Sequence, residues 1–279
     1  MTPADLGRSV AGVNLAVTLT ECAGRLGDEP ALRLDGREIS YRALDAASAR
    51  VAALLLARGV GPGDRVGLML PNVPQFPSVY YGILRAGAIV VPLNPLLKRR
   101  EVSFYLEDSG TRLLFAWHAC AEAAEAGAKR SGTACLFVAP AEFERLLRGS
   151  RPEARVRERR ADDTAVILYT SGTTGTPKGA ELTHANLERN RAAVCDLHSL
   201  DREDVVLGAL PLYHSFGQTC SMNATIAAGG CLTLIPRFDP GLALRVIERD
   251  RVTIFQGVPT MYAAMLAHPE RGSFDVSGL

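Results

Sequence analysis

The sequence predicts an α/β fold of two lobes with largely parallel sheets, and three observations carry that expectation. Strand-like and helix-like segments alternate along most of the 279 residues, the pattern that layered α/β folds produce. Residues 164–169 read Thr-Ala-Val-Ile-Leu-Tyr, a continuous apolar run of the kind found in parallel strands covered on both faces. Between residues 148 and 160 six arginines stand with Pro152, Glu153 and Glu158 and few large apolar residues. That run predicts an exposed, solvated connector between a first α/β lobe over 1–150 and a second, incomplete one over 151–279.

The elements follow in order. Residues 31–34 and 38–40 flank Asp35-Gly36, a pair that favours the tight turn of a hairpin. From 41 to 58, Leu44, Ala47, Val51, Leu54 and Leu55 recur at helical spacing. Gly59 and Gly61-Pro62-Gly63 stop that helix. Residues 65–70 read as a strand, 74–85 as a helix, 88–91 as a strand, 99–108 as a helix and 112–116 as a strand. In the second lobe a helix over 185–197 takes Thr183 as its N-cap. Strands over 205–208, 231–235 and 252–255 alternate with helices over 241–249 and 260–266.

Composition excludes several functions. Thirty-one basic residues against thirty acidic leave a net charge of +1, unlike the strongly basic domains that bind nucleic acid. The longest wholly apolar run, residues 51–57, is far below the roughly 20 residues of a membrane-spanning helix. The apolar stretch over 10–19 is interrupted by Asn14 and Thr18 and preceded by Asp5 and Arg8, unlike a secretion leader. Cys22, Cys120, Cys135, Cys195, Cys220 and Cys231 form no CxxC pair and no zinc spacing. Each reads as a small buried hydrophobe. A cytoplasmic protein without a metal site in this chain is expected.

The chemistry concentrates in Tyr169-Thr170-Ser171-Gly172-Thr173-Thr174-Gly175-Thr176-Pro177-Lys178-Gly179, directly after the most apolar strand. Glycines let the backbone approach a ligand closely. The hydroxyls and free N–H groups form a nest for phosphate oxygens, and one ammonium supplies charge. Only Lys98, Lys129 and Lys178 are lysines, so a lysine closing this loop is uncommon in its own chain. It is not a Walker A loop, because Gly179 rather than Ser or Thr follows Lys178. No G-x-G-x-x-G dinucleotide fingerprint occurs either.

This loop resembles the signature of the adenylate-forming superfamily, which includes acyl-CoA synthetases, peptide-synthetase adenylation domains and luciferase. Leu210-Pro211-Leu212-Tyr213-His214-Ser215-Phe216-Gly217 is similar to the family's aromatic–His segment, and Gly257-Val258-Pro259-Thr260 is a weaker match. Gly63-Asp64-Arg65-Val66, Asn72, Gly82, Gly87 and Val91-Pro92-Leu93-Asn94-Pro95 resemble the family's first lobe. The chain looks most like the N-terminal portion of a fatty acyl-CoA synthetase. The fold so implied is two stacked αβαβα-type lobes, cut before the mobile C-terminal domain. The family's metal-ligating Glu, ribose-binding Asp and catalytic Lys have no counterpart here and are expected beyond Leu279, so no catalytic or metal residue is assigned.

The resemblance implies activation of a fatty acid by ATP, with Mg2+, to an acyl-adenylate and then to acyl-CoA. It assigns Thr170, Ser171, Gly172, Thr173, Thr174, Gly175 and Lys178 to the phosphates. Tyr213, His214, Phe216 and Gly217 fall to the substrate acid, with Gly257, Val258 and Pro259 bordering the acyl pocket. His214 is expected to orient the carboxylate. His184 is expected to be structural, and His118, His198 and His268 have no partner in the sequence. Fatty acid, ATP and CoA are the expected small-molecule partners; peripheral membrane contact and a homodimer stay open. Two alternatives remain: an inactive or split paralogue that binds acyl chain or nucleotide, and an acyl-AMP ligase serving a carrier protein.

Overall fold

The computed structural model describes residues 14–170 and 176–279. Helix α1, Ala16–Leu26, precedes a hairpin of β1, Pro30–Leu34, and β2, Arg37–Ser40. Its turn closes through Asp35 and Gly36 at φ 50° and 75°, the backbone that two-residue hairpins require. Helix α2, Tyr41–Ala57, starts where the Ser40 hydroxyl accepts from the Ala43 N–H. Then come β3, Arg65–Met69; α3, Gln75–Arg85; β4, Ile89–Pro92; α4, Arg99–Ser109; and β5, Thr111–Trp117. Helix α5, Ala121–Ser131, strand β6, Ala134–Val138, and helix α6, Pro140–Arg148, complete the first half. The second half runs β7, Thr164–Thr170; β8, Lys178–Thr183; α7, His184–His198; and β9, Val205–Gly208. A π-helical stretch, Phe216–Asn223, leads into α8, Ala224–Ala228, then β10, Cys231–Leu234; α9, Pro240–Asp250; and α10, Pro259–Leu266.

Two sheets form, and both are largely parallel. Six strands run in the order β6-β5-β3-β4-β7-β8, with only β8 antiparallel; four run β2-β1-β10-β9, with only β2 antiparallel. Sheet membership does not divide the chain at residue 150. β7 and β8 join the sheet of β3–β6, and β1 pairs with β10 through Leu32↔Leu232. The physical reason is burial. Ala165, Val166, Ile167 and Leu168 need a covered strand position, and β4 supplies it. The Tyr41 hydroxyl, at the start of α2, donates to the Gly230 carbonyl at 2.7 Å, sealing the two halves together. One core cluster runs from Leu15 through Phe76, Tyr80 and Phe115 to Leu212 and Leu234.

Two expectations need correction. The stretch 148–160 has no buried residue, as expected of an exposed connector, but it is tied down: Glu153 and Arg157 donate backbone N–H groups to Ala49 and Arg85, and the buried Arg85 guanidinium holds the Ala154 carbonyl at 3.0 Å. Val156 packs against the main core. Residues 252–255 form one parallel bridge, Val206↔Ile254, rather than a strand. Of the cysteines only Cys22 and Cys231 are buried; the other four are partly exposed.

Candidate active site

The phosphate-loop candidate is the tip of the β7–β8 hairpin. Thr170 pairs with Lys178 and Tyr169 with Gly179 in antiparallel register, so both stems of the loop are fixed by the ladder. Ser171, Gly172, Thr173, Thr174 and Gly175 lie outside the described residues. Lys178 is exposed, and no carboxylate pairs with it among the described residues. The hairpin root is held from below. The Tyr169 ring stacks on Tyr105 at 4.2 Å and 12°, and its hydroxyl donates to Asp108 Oδ2 at 2.6 Å. Burial and the Asp108 carboxylate push the Tyr169 pKa up, keeping that hydroxyl a donor. A Cβ at Gly179 would stand 2.9 Å from Ile167 and 3.3 Å from the Tyr169 ring, so only glycine lets the ring lie across the strand.

The aromatic–His segment leaves the carboxyl end of β9. Asn72, buried just past the carboxyl end of β3, fixes its path. The Asn72 amide donates to the Gly208 and Leu210 carbonyls, each at 2.9 Å, and accepts from the Leu212 N–H at 3.0 Å. The loop then doubles back tightly. A Cβ on Gly217 would come within 2.4 Å of the Pro211 carbonyl oxygen, so this close approach demands glycine. Tyr213 is half-buried, His214 is exposed, and Phe216 is 40% exposed at the start of the π-helix. Beneath that helix Tyr81 donates to Asn223 at 2.9 Å, and the Asn223 amide reaches the Tyr80 hydroxyl at 3.3 Å. Burial pushes both tyrosine pKa values up.

The residue before Gly257 is tied to the π-helix by a bond from Ser221 Oγ to Gln256 Oε1 at 3.0 Å. The Tyr262 hydroxyl, bonded to Gly257 N–H and the Phe255 carbonyl, shapes the turn into α10. A cleft of about 440 Å³ lies beside the aromatic–His segment: Leu182, Asn186, Leu187 and Asn190 line it from β8 and α7, and Ser215, Phe216, Thr219 and Cys220 from the π-helix side. Through Asn72 the loops after β3 and β9 meet outside the carboxyl ends of their strands, where open α/β sheets bind ligands. No hydrogen bond or ion pair among the described residues joins Lys178 to His214, nor either one to Gly257–Pro259.

Thr183 caps α7 as expected: its hydroxyl accepts from Asn186 N–H, and Asn186 Oδ1 accepts from Thr183 N–H, both at 3.1 Å. His184 is buried and accepts from the Leu15 N–H at 3.1 Å through Nδ1. Burial, with the Arg159 charge, lowers its pKa to about 4. Sequence reasoning noted Asn72 only as part of a resemblance and missed its bonds, the Tyr169–Asp108 clamp and the Ser221–Gln256 bridge. For Asn72 the signal was available: a lone amide closing a buried strand.

Comparisons with known proteins converge on one family. The family described as "AMP-binding enzyme" matches residues 19–279. The feruloyl-CoA synthase of an Amycolatopsis species is 39% identical over 249 residues, 89% of this chain and 49% of that protein. The long-chain-fatty-acid–CoA ligase of Bacillus subtilis is 30% identical, covering 94% of this chain and 53% of its own length. Among solved structures, ATP-bound MatB from Rhodopseudomonas palustris superposes with a TM-score of 0.84 at 33% identity, over 92% of this chain and 52% of that one. The N-terminal domain of FACL13 from Mycobacterium tuberculosis gives 0.88 at 29% identity, over 95% and 68%. The chain thus spans about half the length of the curated relatives it matches. With the hairpin loop, the aromatic–His segment and the doubly covered sheets in place, this chain belongs to the adenylate-forming, AMP-binding enzyme family and has the fold of its N-terminal domains.

Proposed function

We propose that this chain supplies the phosphate-gripping and acyl-receiving part of an enzyme that activates a carboxylic acid with ATP and passes the acyl group to CoA. A carboxylate oxygen attacks the α-phosphorus, pyrophosphate leaves, and the CoA thiol then displaces AMP from the acyl carbon. The observation that carries this reading is the β7–β8 hairpin, whose Thr170↔Lys178 pairing presents a Gly/Thr-rich tip and one ammonium. Lys178 and the loop amides stabilise the departing pyrophosphate, where fixed donors act without reorganising. His214, exposed beside the cleft, orients the carboxylate. Among the described residues no group of three or more His, Cys, Asp or Glu side chains gathers to hold a metal ion. We place the enzyme in the cytoplasm, where ATP and CoA are both supplied.

The 211–217 string and the similarity to long-chain ligases favour a fatty acid as substrate. A second reading, an aryl acid, is favoured by the higher identity to a feruloyl-CoA synthase and by the mixed lining of the cleft. The adenylation step is tested by ATP–pyrophosphate exchange in the full natural protein. Lys178→Ala should cost about 1–3 kcal/mol, the loss of a charge-assisted hydrogen bond. Unchanged exchange kinetics would refute the phosphate assignment.

A further inference from the structure

We propose that strand β6, Ala134–Val138, is a docking edge for a second copy of this chain, which adds its own β6 antiparallel across a two-fold axis. Among the described residues four strands end the two sheets: β6 and β8 in one, β2 and β9 in the other. Three of these edges are guarded. β8 carries Lys178 and Glu181, and β2 carries Arg37 and Glu38, charges of the kind that keep edges from pairing. β9 is covered on its outer side, where Leu207 N–H donates to the Ile254 carbonyl at 2.9 Å and Ile254 N–H to the Val205 carbonyl at 3.2 Å. β6 has neither defence. It reads Ala-Cys-Leu-Phe-Val and pairs with β5 alone. Residues 134–138 make no other backbone hydrogen bond among the described residues. An apolar edge left open in this way is a template for another strand.

The occupant is a second copy because the strand complements itself. Leu136 lies beside Phe115 of β5 and packs on the main core, whereas Cys135 packs with the cluster that holds Leu114, Ala124 and Ala128. Phe137, two residues from Cys135, shares its face and is 40% exposed. Antiparallel pairing centred on Leu136 matches all five residues and sets each Cys135 opposite Phe137 of the other copy. A slip of one residue would bring opposite faces together. Sulfur beside an aromatic ring is a favourable contact. Burial, with Cys120 nearby, pushes the Cys135 pKa up to about 11, so the thiol meets that ring uncharged.

Helix α6 complements itself as well. It covers the Leu136 face, where Phe143 meets Phe115 edge-on at 6.0 Å, and it leaves Leu146 37% exposed. Its charges are divided: Glu142 and Glu144 stand in the first half, Arg145 and Arg148 in the second, all exposed. Their contacts within the helix, Arg145 to Glu142 and Arg148 to Glu144, contribute little in water. The two-fold axis that pairs the strands runs the two α6 helices antiparallel. The acidic half of each then lies beside the basic half of the other, an arrangement that fixes register and partner.

The experiment is sedimentation velocity of the full natural protein over a concentration series. The parent should dimerise reversibly. Phe137→Lys places an unpaired ammonium in the seam and should weaken the dimer at least about tenfold, with the circular dichroism of the parent. Should that variant fail to fold, the exposed charges of α6 give the same readout. A variant with Glu142→Arg and Glu144→Arg, and another with Arg145→Glu and Arg148→Glu, should each be monomeric alone and dimerise when mixed. Phe137→Cys, oxidised with copper phenanthroline, should give a dimer whose linked peptide joins Cys135 of one copy to position 137 of the other. A parent that stays monomeric, or a dimer unmoved by the folded variants, overturns the proposal; so does a linked peptide that lacks Cys135.

Discussion

Replacing Tyr169 tests whether the hairpin root positions the phosphate loop. The ring stacks on Tyr105 at 4.2 Å, meets Phe104 edge-on at 6.4 Å, and ties its hydroxyl to Asp108 at 2.6 Å. Tyr169→Phe removes only the hydroxyl. A hydrogen bond to a charged group contributes about 1.5–3 kcal/mol, but Asp108 is exposed, and screening brings the expected cost to about 1 kcal/mol. Tyr169→Leu also removes the stack, adding about 0.5–1.5 kcal/mol. Urea unfolding measures both, and Asp108→Asn closes a double-mutant cycle around the bond. The functional consequence is specific. A root free to tilt displaces the loop amides, so Tyr169→Leu should raise the KM for ATP several-fold more than the KM for the acid in pyrophosphate exchange. Equal effects on both substrates, or a stability loss with unchanged ATP kinetics, would refute the idea that the clamp aims the loop.

Further outcomes follow from other contacts. Gly217→Ala drives a methyl to 2.4 Å from the Pro211 oxygen; the segment must shift, at about 1–3 kcal/mol, and the KM for the acid should rise more than that for ATP. His184 is held neutral with its pKa lowered to about 4, against 6.5 when unfolded. The unfolded chain therefore binds more protons between these values. The stability due to this residue is whole above pH 6.5 and is lost towards pH 4, by about 3 kcal/mol in all; His184→Asn should flatten that part of the stability–pH curve relative to the parent. Expressed separately, fragments 1–150 and 151–279 should each fail to unfold cooperatively, since β1 needs β10 and β7 needs β4; a cooperative transition in either alone would show that the sheets tolerate division.

Much of the fold is legible in the sequence because its signals are local. Asp35-Gly36 dictates a turn whatever surrounds it, and the apolar periodicity of α2 survives translation into structure with one residue of difference at its end. What escapes is non-local. Helix α5 reads Ala-Glu-Ala-Ala-Glu-Ala-Gly-Ala-Lys-Arg-Ser, with too few large apolar residues to mark a face, and it forms because Val102 of α4 packs against Gly127. The arginine run is as exposed as its composition says, yet backbone bonds to Ala49 and Arg85, which no local signal announces, hold it down. Strand β8, Lys178–Thr183, reads as the tail of a polar loop until its ladder with β7 is seen. The candidate site divides in the same way: the loop and the His214 segment announce themselves as contiguous strings, whereas Asn72 acts across 136 residues.

The π-helix explains how one short segment serves two demands. Pairing i with i+5 inserts an extra residue per turn and marks functional sites in many folds. Here Gln218, Ser221, Met222 and Asn223 are buried, with Ser221 and Asn223 bonded to Gln256 and the Tyr80–Tyr81 pair. Phe216, Thr219 and Cys220 face the cleft. The wider turn lets a hydrogen-bonded polar floor and a cleft-lining wall alternate within eight residues. Tightening it to an α-helix would rotate each later side chain by about 100° per lost residue, taking Thr219 out of the cleft wall. The wide turn and the tight approach of Gly217 are thus parts of one arrangement: the loop is pinned at Asn72, folded back on Pro211, and released into a helix whose Phe216, Thr219 and Cys220 line the cleft.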